Sequence, residues 1–142
     1  MKRAENYMKL YIPSHSVNEG MARSAVASFV AQLNPTLEEI SDIKCSVSEA
    51  VTNSIVHGYK YSPGIIYIGV KYYSDRTVII EITDKGCGIE NVAQAMTPLF
   101  TTDTSGERSG MGFAVMQTFM DKLSVCSKTG KGVRIIMTKK LK

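Results

Sequence analysis

The chain has 142 residues, 44% of them hydrophobic and 21% charged, a mix close to the globular average that excludes a disordered chain and a membrane protein. Lys and Arg number 17 against 13 Asp and Glu, giving +4, but much of the excess sits in Lys2, Arg3, Lys139, Lys140 and Lys142. These read as frayed, solvated ends, so neither a basic face nor a readable motif points to nucleic acid.

One domain spanning residues 1–142 is expected, and at this size it can bury roughly 70% of its unfolded surface without staples. Cys45, Cys87 and Cys126 are odd in number and far apart, and neither His15 nor His57 is near them. A reducing, cytoplasmic setting follows, with no structural zinc. MKRAENYMKLYI lacks the apolar run of a signal peptide, and no 18 apolar residues run together, so no membrane partner is expected.

Residues 7–12 alternate Met8, Leu10 and Ile12 against Tyr7, Lys9 and Tyr11, the period of a half-buried strand, which Pro13 ends. Ser16 and Glu19 form an S-x-x-E capping box before a helical stripe of Met21, Ala22, Ala25, Val26, Phe29 and Val30. Thr36 and Glu39 form a second box, and Ile40, Ile43, Val47, Ala50 and Val51 carry a long helix to about His57-Gly58. Residues 65–73 and 77–83, joined by Ser74-Asp75-Arg76, predict a β-hairpin. Periodicity then weakens from Glu90 to Arg108, a stretch read as a mobile loop. A helix is predicted over Met111–Met120, and strands near 122–127 and 133–139 flank the turn SKTGKG. Strands that cluster apart from helices favour a two-layer α/β sandwich, a mixed but mostly antiparallel sheet with helices on one face.

At about 100° per residue, Glu49 and Asn53 fall opposite the apolar stripe of the long helix, one turn apart, and His57 continues their row. By itself such a pair is also what an ordinary solvated helix face offers. DKGCGI, at the end of a strand, places Asp84 before Gly86 and Gly88, residues that let a backbone turn and approach a ligand closely. It is not a dinucleotide fingerprint, because Asn91 stands at the third glycine position, and no Walker A run occurs. SGMGF, 109–113, opens the later helix, where backbone N–H groups suit a phosphate. Thr101, Thr102, Thr104, Ser105 and Arg108 just upstream add hydroxyls and a positive charge.

In chain order, E-x-x-x-N on a helix, D-x-G-x-G after a strand, a polar loop and G-x-G at a helix start resemble the GHKL, or Bergerat, ATP-binding family of histidine kinases, Hsp90-type chaperones, gyrase and MutL. Within it, VSEAVTNSIVHGY, DKGCGI and PLFTTDTSGERSGMGF, with FVAQLNPT earlier, look like the small anti-sigma-F serine kinases of spore-forming bacteria, over nearly the whole chain. The resemblance implies ATP or ADP as ligand, with Asn53 holding Mg²⁺ and Glu49 as the base that accepts the proton of the attacking serine. It implies Asp84 on the adenine amino group, Gly86, Gly88 and Ile89 around the base, and His57 and Gly58 near the nucleotide. It implies an ATP lid over about 90–110, whose Thr101, Thr102 and Ser109 wrap the phosphates together with Gly110, Met111, Gly112 and Phe113, while Arg108 stabilises charge.

The implied partners are a sigma factor (sigma F), an anti-anti-sigma factor phosphorylated on serine, and a second copy joined through the sheet face or edge. Arg23 falls where partner contacts are expected, and the role implied is control of sporulation transcription. Many family members carry a threonine just after K-G on the penultimate strand, linked to the adenine-binding acid through water, and here that position is Val133. A nucleotide-gated binding module without kinase activity uses the same pocket and stays open at this point.

Overall fold

The computed structural model describes residues 3–96 and 112–142. Its elements in chain order are β1 (Asn6–Pro13), α1 (Asn18–Val30), α2 (Leu37–Asn53), β2 (Ile65–Tyr72), β3 (Thr77–Asp84), a one-turn α3 (Val92–Ala95), α4 (Gly112–Phe119), β4 (Lys122–Lys128) and β5 (Gly132–Lys140). The strands form one sheet in the order β1-β2-β3-β5-β4. Every pairing is antiparallel, with Ile68 opposite Leu10 and Ile82, and Ile82 opposite Ile135. The two-layer sandwich is as expected, with a sheet less mixed than the sequence suggested.

Alternation builds the core. Ile66, Ile68 and Val70 of β2, Val78, Ile80 and Ile82 of β3, and Ile135 and Met137 of β5 all turn to one face and are almost fully buried. The helices answer with Ala22, Val26 and Val30 of α1 and Ile43, Val47, Ala50 and Val51 of α2. Each such Val or Ile side chain stabilises the fold by roughly 1.5–3 kcal/mol relative to an exposed one. The other sheet face carries no described helix and presents Tyr7, Tyr11 and Ile65 as exposed apolar groups, with Tyr11 edge-on to Tyr67.

The Thr36/Glu39 capping box forms in full, both reciprocal bonds being present at the start of α2. The Ser16/Glu19 box does not. The backbone at Val17 is already helical, no side chain caps α1, and the Glu19 carboxylate turns instead to Arg23 Nη1 at 3.0 Å. A local S-x-x-E signal requires an extended N-cap residue, and the turn through His15–Asn18 withholds it. At its far end α2 passes into a π turn, Ser54–Gly58, closed by the Tyr59 N–H on Ser54 O at 2.8 Å. The expected loop also contains order: Asn91 caps α3 through its side chain.

The C-terminal lysines are not frayed. Lys139 is buried, its Nζ donating to Phe119 O at 2.6 Å and to Asp42 Oδ2 at 3.4 Å. Lys140 N–H donates to Asp121, and Lys142 N–H to Glu39 Oε2 at 2.8 Å. Val133 falls in the last strand, not the penultimate one. Burial of Glu39 opposes its ionisation, but the Thr36 and Lys142 N–H groups, the Thr36 hydroxyl and the Lys139 charge outweigh it and lower its pKa. A lowered carboxylate pKa contributes stability above its unfolded value that is lost as pH falls through the folded one. Glu39→Ala should therefore destabilise by about 1–3 kcal/mol at pH 7. In urea titrations the gap from the wild type should narrow on acidification, and a gap independent of pH would contradict this.

Candidate nucleotide site

Strand alternation turns the Asp84 side chain inward behind Ile82, and Asp84 is 3% exposed. Burial raises its pKa, opposed by bonds from the Gly86 N–H, the Ser54 hydroxyl and the Val133 N–H. The Gly86 N–H lies 2.9 Å from Oδ1. Because the folded state holds this proton more tightly than the unfolded chain, the stability tied to Asp84 is full in acid. It declines as pH rises through the raised pKa. A carboxylate kept at that cost, in a cleft, makes Asp84 a candidate functional residue.

Tight backbone packing sets the Asp84 loop. A Cβ on Gly86 would stand 2.2 Å from Gly58 O, and Gly88 has φ +77°, a conformation that favours glycine. The Cys87 N–H donates to Gly58 O at 2.9 Å and its Sγ to His57 O at 3.1 Å. From the other side, Gly130 N–H reaches Cys87 O and Ile89 N–H reaches Ser127 Oγ at 2.7 Å. The loop is thus clamped between the π turn and the β4–β5 turn.

Above it opens a cavity of about 360 Å³, within the size of small-ligand sites. Its walls bring together Asn53, His57, Gly58, Asp84, Gly88, Ile89, Gly112 and Phe113 of the residues expected from sequence. Gly86 is not among the described lining residues. Lys60, Gln94, Thr129 and Val133 line it as well, and the sequence reading missed the first three of these as site residues. Ser54, which bonds to Asp84, is a further site residue not expected from sequence; a lone hydroxyl on the buried face of the helix is the available signal. Val133 meets Asp84 through its backbone N–H, so its apolar side chain is free to face the cavity.

Glu49 does not line this cavity. It lines a second one, with Thr52 and Ser48. The Glu49 and Asn53 side chains nevertheless both approach the start of α4, where a Cβ on Gly112 would lie 3.1 Å from Glu49 Oε2 and 3.2 Å from Asn53 Nδ2. Asn53 Nδ2 is buried without a hydrogen-bond partner among the described residues, so it is available to donate to a group in the cavity. No cluster of three His, Cys, Asp or Glu side chains suited to a metal occurs among the described residues. Arg23 of α1 donates to Glu19 and to Ser48 Oγ at 3.1 Å, beside the second cavity. Thr101, Thr102, Arg108, Ser109, Gly110 and Met111 lie outside the described residues. No described helix is long and apolar enough to cross a membrane.

Residues 12–139 match the histidine kinase-like ATPase domain, a fold that binds nucleotide. The chain is 53% identical to the anti-sigma F factor of Clostridium acetobutylicum over 96% of its own length and 94% of that protein's. It is 57% identical to the anti-sigma F factor of Clostridium novyi over 96% of each. In fold it is similar to a Mycobacterium tuberculosis protein with RsbU and RsbW domains, with TM-score 0.69 and 17% identity over 96% of this chain and 32% of that one. The catalytic domain of the histidine kinase ThkA superposes with TM-score 0.58 and 14% identity, covering 96% of each chain. A buried acid clamped above a glycine loop, beside a Glu–Asn row on one helix, is thus set in a nucleotide-binding ATPase fold, and the chain belongs to the anti-sigma F factors within the histidine kinase-like ATPase family.

Proposed function

We propose that this chain is a serine protein kinase as well as an anti-sigma factor, working in the cytoplasm as a single domain of 142 residues. It uses ATP to phosphorylate an anti-anti-sigma factor and sequesters sigma F, so controlling sporulation transcription. The observation that carries the kinase reading is the position of Glu49: its carboxylate reaches the α4 N-terminus on the nucleotide side yet lines a separate cavity. A donor nucleotide in the first cavity and a hydroxyl acceptor in the second would meet at Glu49.

Asp84 accepts a hydrogen bond from the adenine amino group, and His57, Gly58, Gly88 and Ile89 pack about the base. Phosphates lie against the N-terminus of α4 at Gly112 and Phe113, where N–H groups and the helix dipole favour anions. Mg²⁺ would be held by the Asn53 amide oxygen and would neutralise phosphate charge, while Nδ2 of the same amide, without an acceptor among the described residues, would donate to a phosphate oxygen; few protein ligands are usual for this ion. Glu49 orients the acceptor hydroxyl and takes its proton, in a reaction where positioning matters more than basicity. To the lid, about 90–110, we assign Thr101, Thr102, Ser109 and Gly110 as phosphate contacts, joined by Met111 just beyond it, and Arg108 as the neutralising charge. ADP occupies the same cavity after transfer.

Arg23 serves the protein partners. Arg23→Ala should weaken sigma-factor and anti-anti-sigma binding by about tenfold, the loss of one charge-assisted contact, and leave ATP affinity unchanged in fluorescence titrations. Intact affinity for both partners would remove Arg23 from the interface. The outer sheet face, with Tyr7, Tyr11 and Ile65 exposed, supports a homodimer through that face. Incubation with Mg·ATP and the anti-anti-sigma partner tests the whole reading: phosphorylation of the partner is expected, and binding without phosphorylation would favour a nucleotide-gated module.

A further inference from the structure

The second cavity, about 430 Å³, shares no lining residue with the nucleotide cavity among the described residues. Ser16, Glu19, Ser48, Glu49, Thr52 and Tyr61 contribute to its walls. Hydroxyls and carboxylates dominate, so it suits a polar protein segment that carries its own hydroxyl toward Glu49. Tyr61 is the one aromatic side chain among the described lining residues, and it is 54% exposed.

The backbone that delivers Tyr61 is unusual. Lys60 and Tyr61 both have left-handed φ, +51° and +64°, which is uncommon away from glycine, and strained pairs of this kind gather at functional sites. The surroundings hold them there: the Tyr61 N–H donates to Ile55 O at 3.0 Å across the π turn, and the Ser62 N–H to Tyr59 O at 2.8 Å. Ser14 ties the far side of the loop down, its Oγ donating to Ser62 O at 3.1 Å and its N–H to Gly64 O at 2.9 Å. The consequence is a division of labour between two adjacent residues, Lys60 on the nucleotide cavity and Tyr61 on the second one.

We propose that Tyr61 is a positioning residue for the acceptor: its ring forms the wall against which the hydroxyl-bearing segment of the phosphorylated partner lies on its way to Glu49. This rests on the kinase reading above and goes beyond it by naming a group that selects the acceptor without touching the nucleotide.

The test uses the full chain with Mg·ATP and the anti-anti-sigma protein as acceptor. Tyr61→Gly removes the ring while suiting the left-handed backbone, so thermal stability should be kept; Tyr61→Phe keeps the ring. The KM for the acceptor should rise about tenfold in Tyr61→Gly, consistent with loss of one aromatic contact. The KM for ATP should stay within about twofold, and Tyr61→Phe should restore the acceptor KM. An unchanged acceptor KM, or an ATP KM that rises in parallel, would overturn the proposal. Absence of transfer by the wild type would instead defeat the kinase reading, and titration of the acceptor against the same variants would then decide for Tyr61: weaker binding by Tyr61→Gly alone upholds its role, and equal or undetectable binding by all three removes it.

Discussion

Asp84→Asn should lose at least about 100-fold in nucleotide affinity, the size expected when a charge-assisted acceptor is replaced in a buried site. The Asp84 carboxylate already receives the Gly86 N–H, the Ser54 hydroxyl and the Val133 N–H, so its geometry is fixed before a ligand arrives. An amide there presents N–H atoms to groups that are themselves donors, and it offers fewer lone pairs to an adenine amino group. The pH dependence follows from the raised pKa. As pH falls through it, the carboxylate becomes a neutral acid and nucleotide affinity should drop, beginning above the ordinary aspartate range of about 3.9. The variant should lack that drop. Calorimetric titration of ADP across pH checks both statements, and wild-type affinity in Asp84→Asn would place the adenine elsewhere in the cavity.

Glu49→Ala should reduce phosphate transfer by about 100-fold to 10,000-fold, the range for loss of a general base. ATP affinity should stay within about threefold of the wild type, because Glu49 lines the second cavity and not the nucleotide one. The split between chemistry and binding is the informative part. If ATP affinity falls with the rate, Glu49 is holding the α4 N-terminus, where a Gly112 Cβ would lie 3.1 Å from its Oε2, and acts through phosphate binding. If transfer continues at the wild-type rate, the base assignment fails. A protein with no transfer to lose, but with partner affinity gated by ATP, would be the nucleotide-gated module.

The parts of this account legible in the sequence are those that depend on near neighbours. Alternation in residues 65–72 and 77–84 is set by one buried face, so strands, hairpin and core followed directly from pattern. The Thr36/Glu39 box is local, and so is the Glu49–Asn53 row, one turn apart on α2. Where the determining contact is distant, the reading ran out. Ser16 and Glu19 have the letters of a capping box, but Arg23 and the turn at Val17 claim them. Lys139 looks like a solvated end until α2 and α4 supply Asp42 and Phe119 O, 97 and 20 residues away. Ser54 looks like an interruption of an apolar stripe until Asp84 arrives from β3. Tyr61 gives no local sign at all, since its left-handed φ is imposed by the π turn before it.

The separation of Glu49 from the nucleotide cavity belongs to the same class. Sequence spacing puts Glu49 and Asn53 side by side, and only the folded chain assigns them to two cavities, Asn53 to one and Glu49 to the other. That division is the physical basis for reading the site as one that moves a phosphoryl group between ligands.

The most direct measurement is a single-turnover assay in which the chain, loaded with Mg·ATP labelled on the γ-phosphate, is mixed with the anti-anti-sigma protein and the product is tested for acid stability. Label carried by the partner and stable to acid, as a serine phosphoester is, is the predicted result. Label that stays in ATP while the partner binds, or an acid-labile phosphate on a histidine, would contradict it.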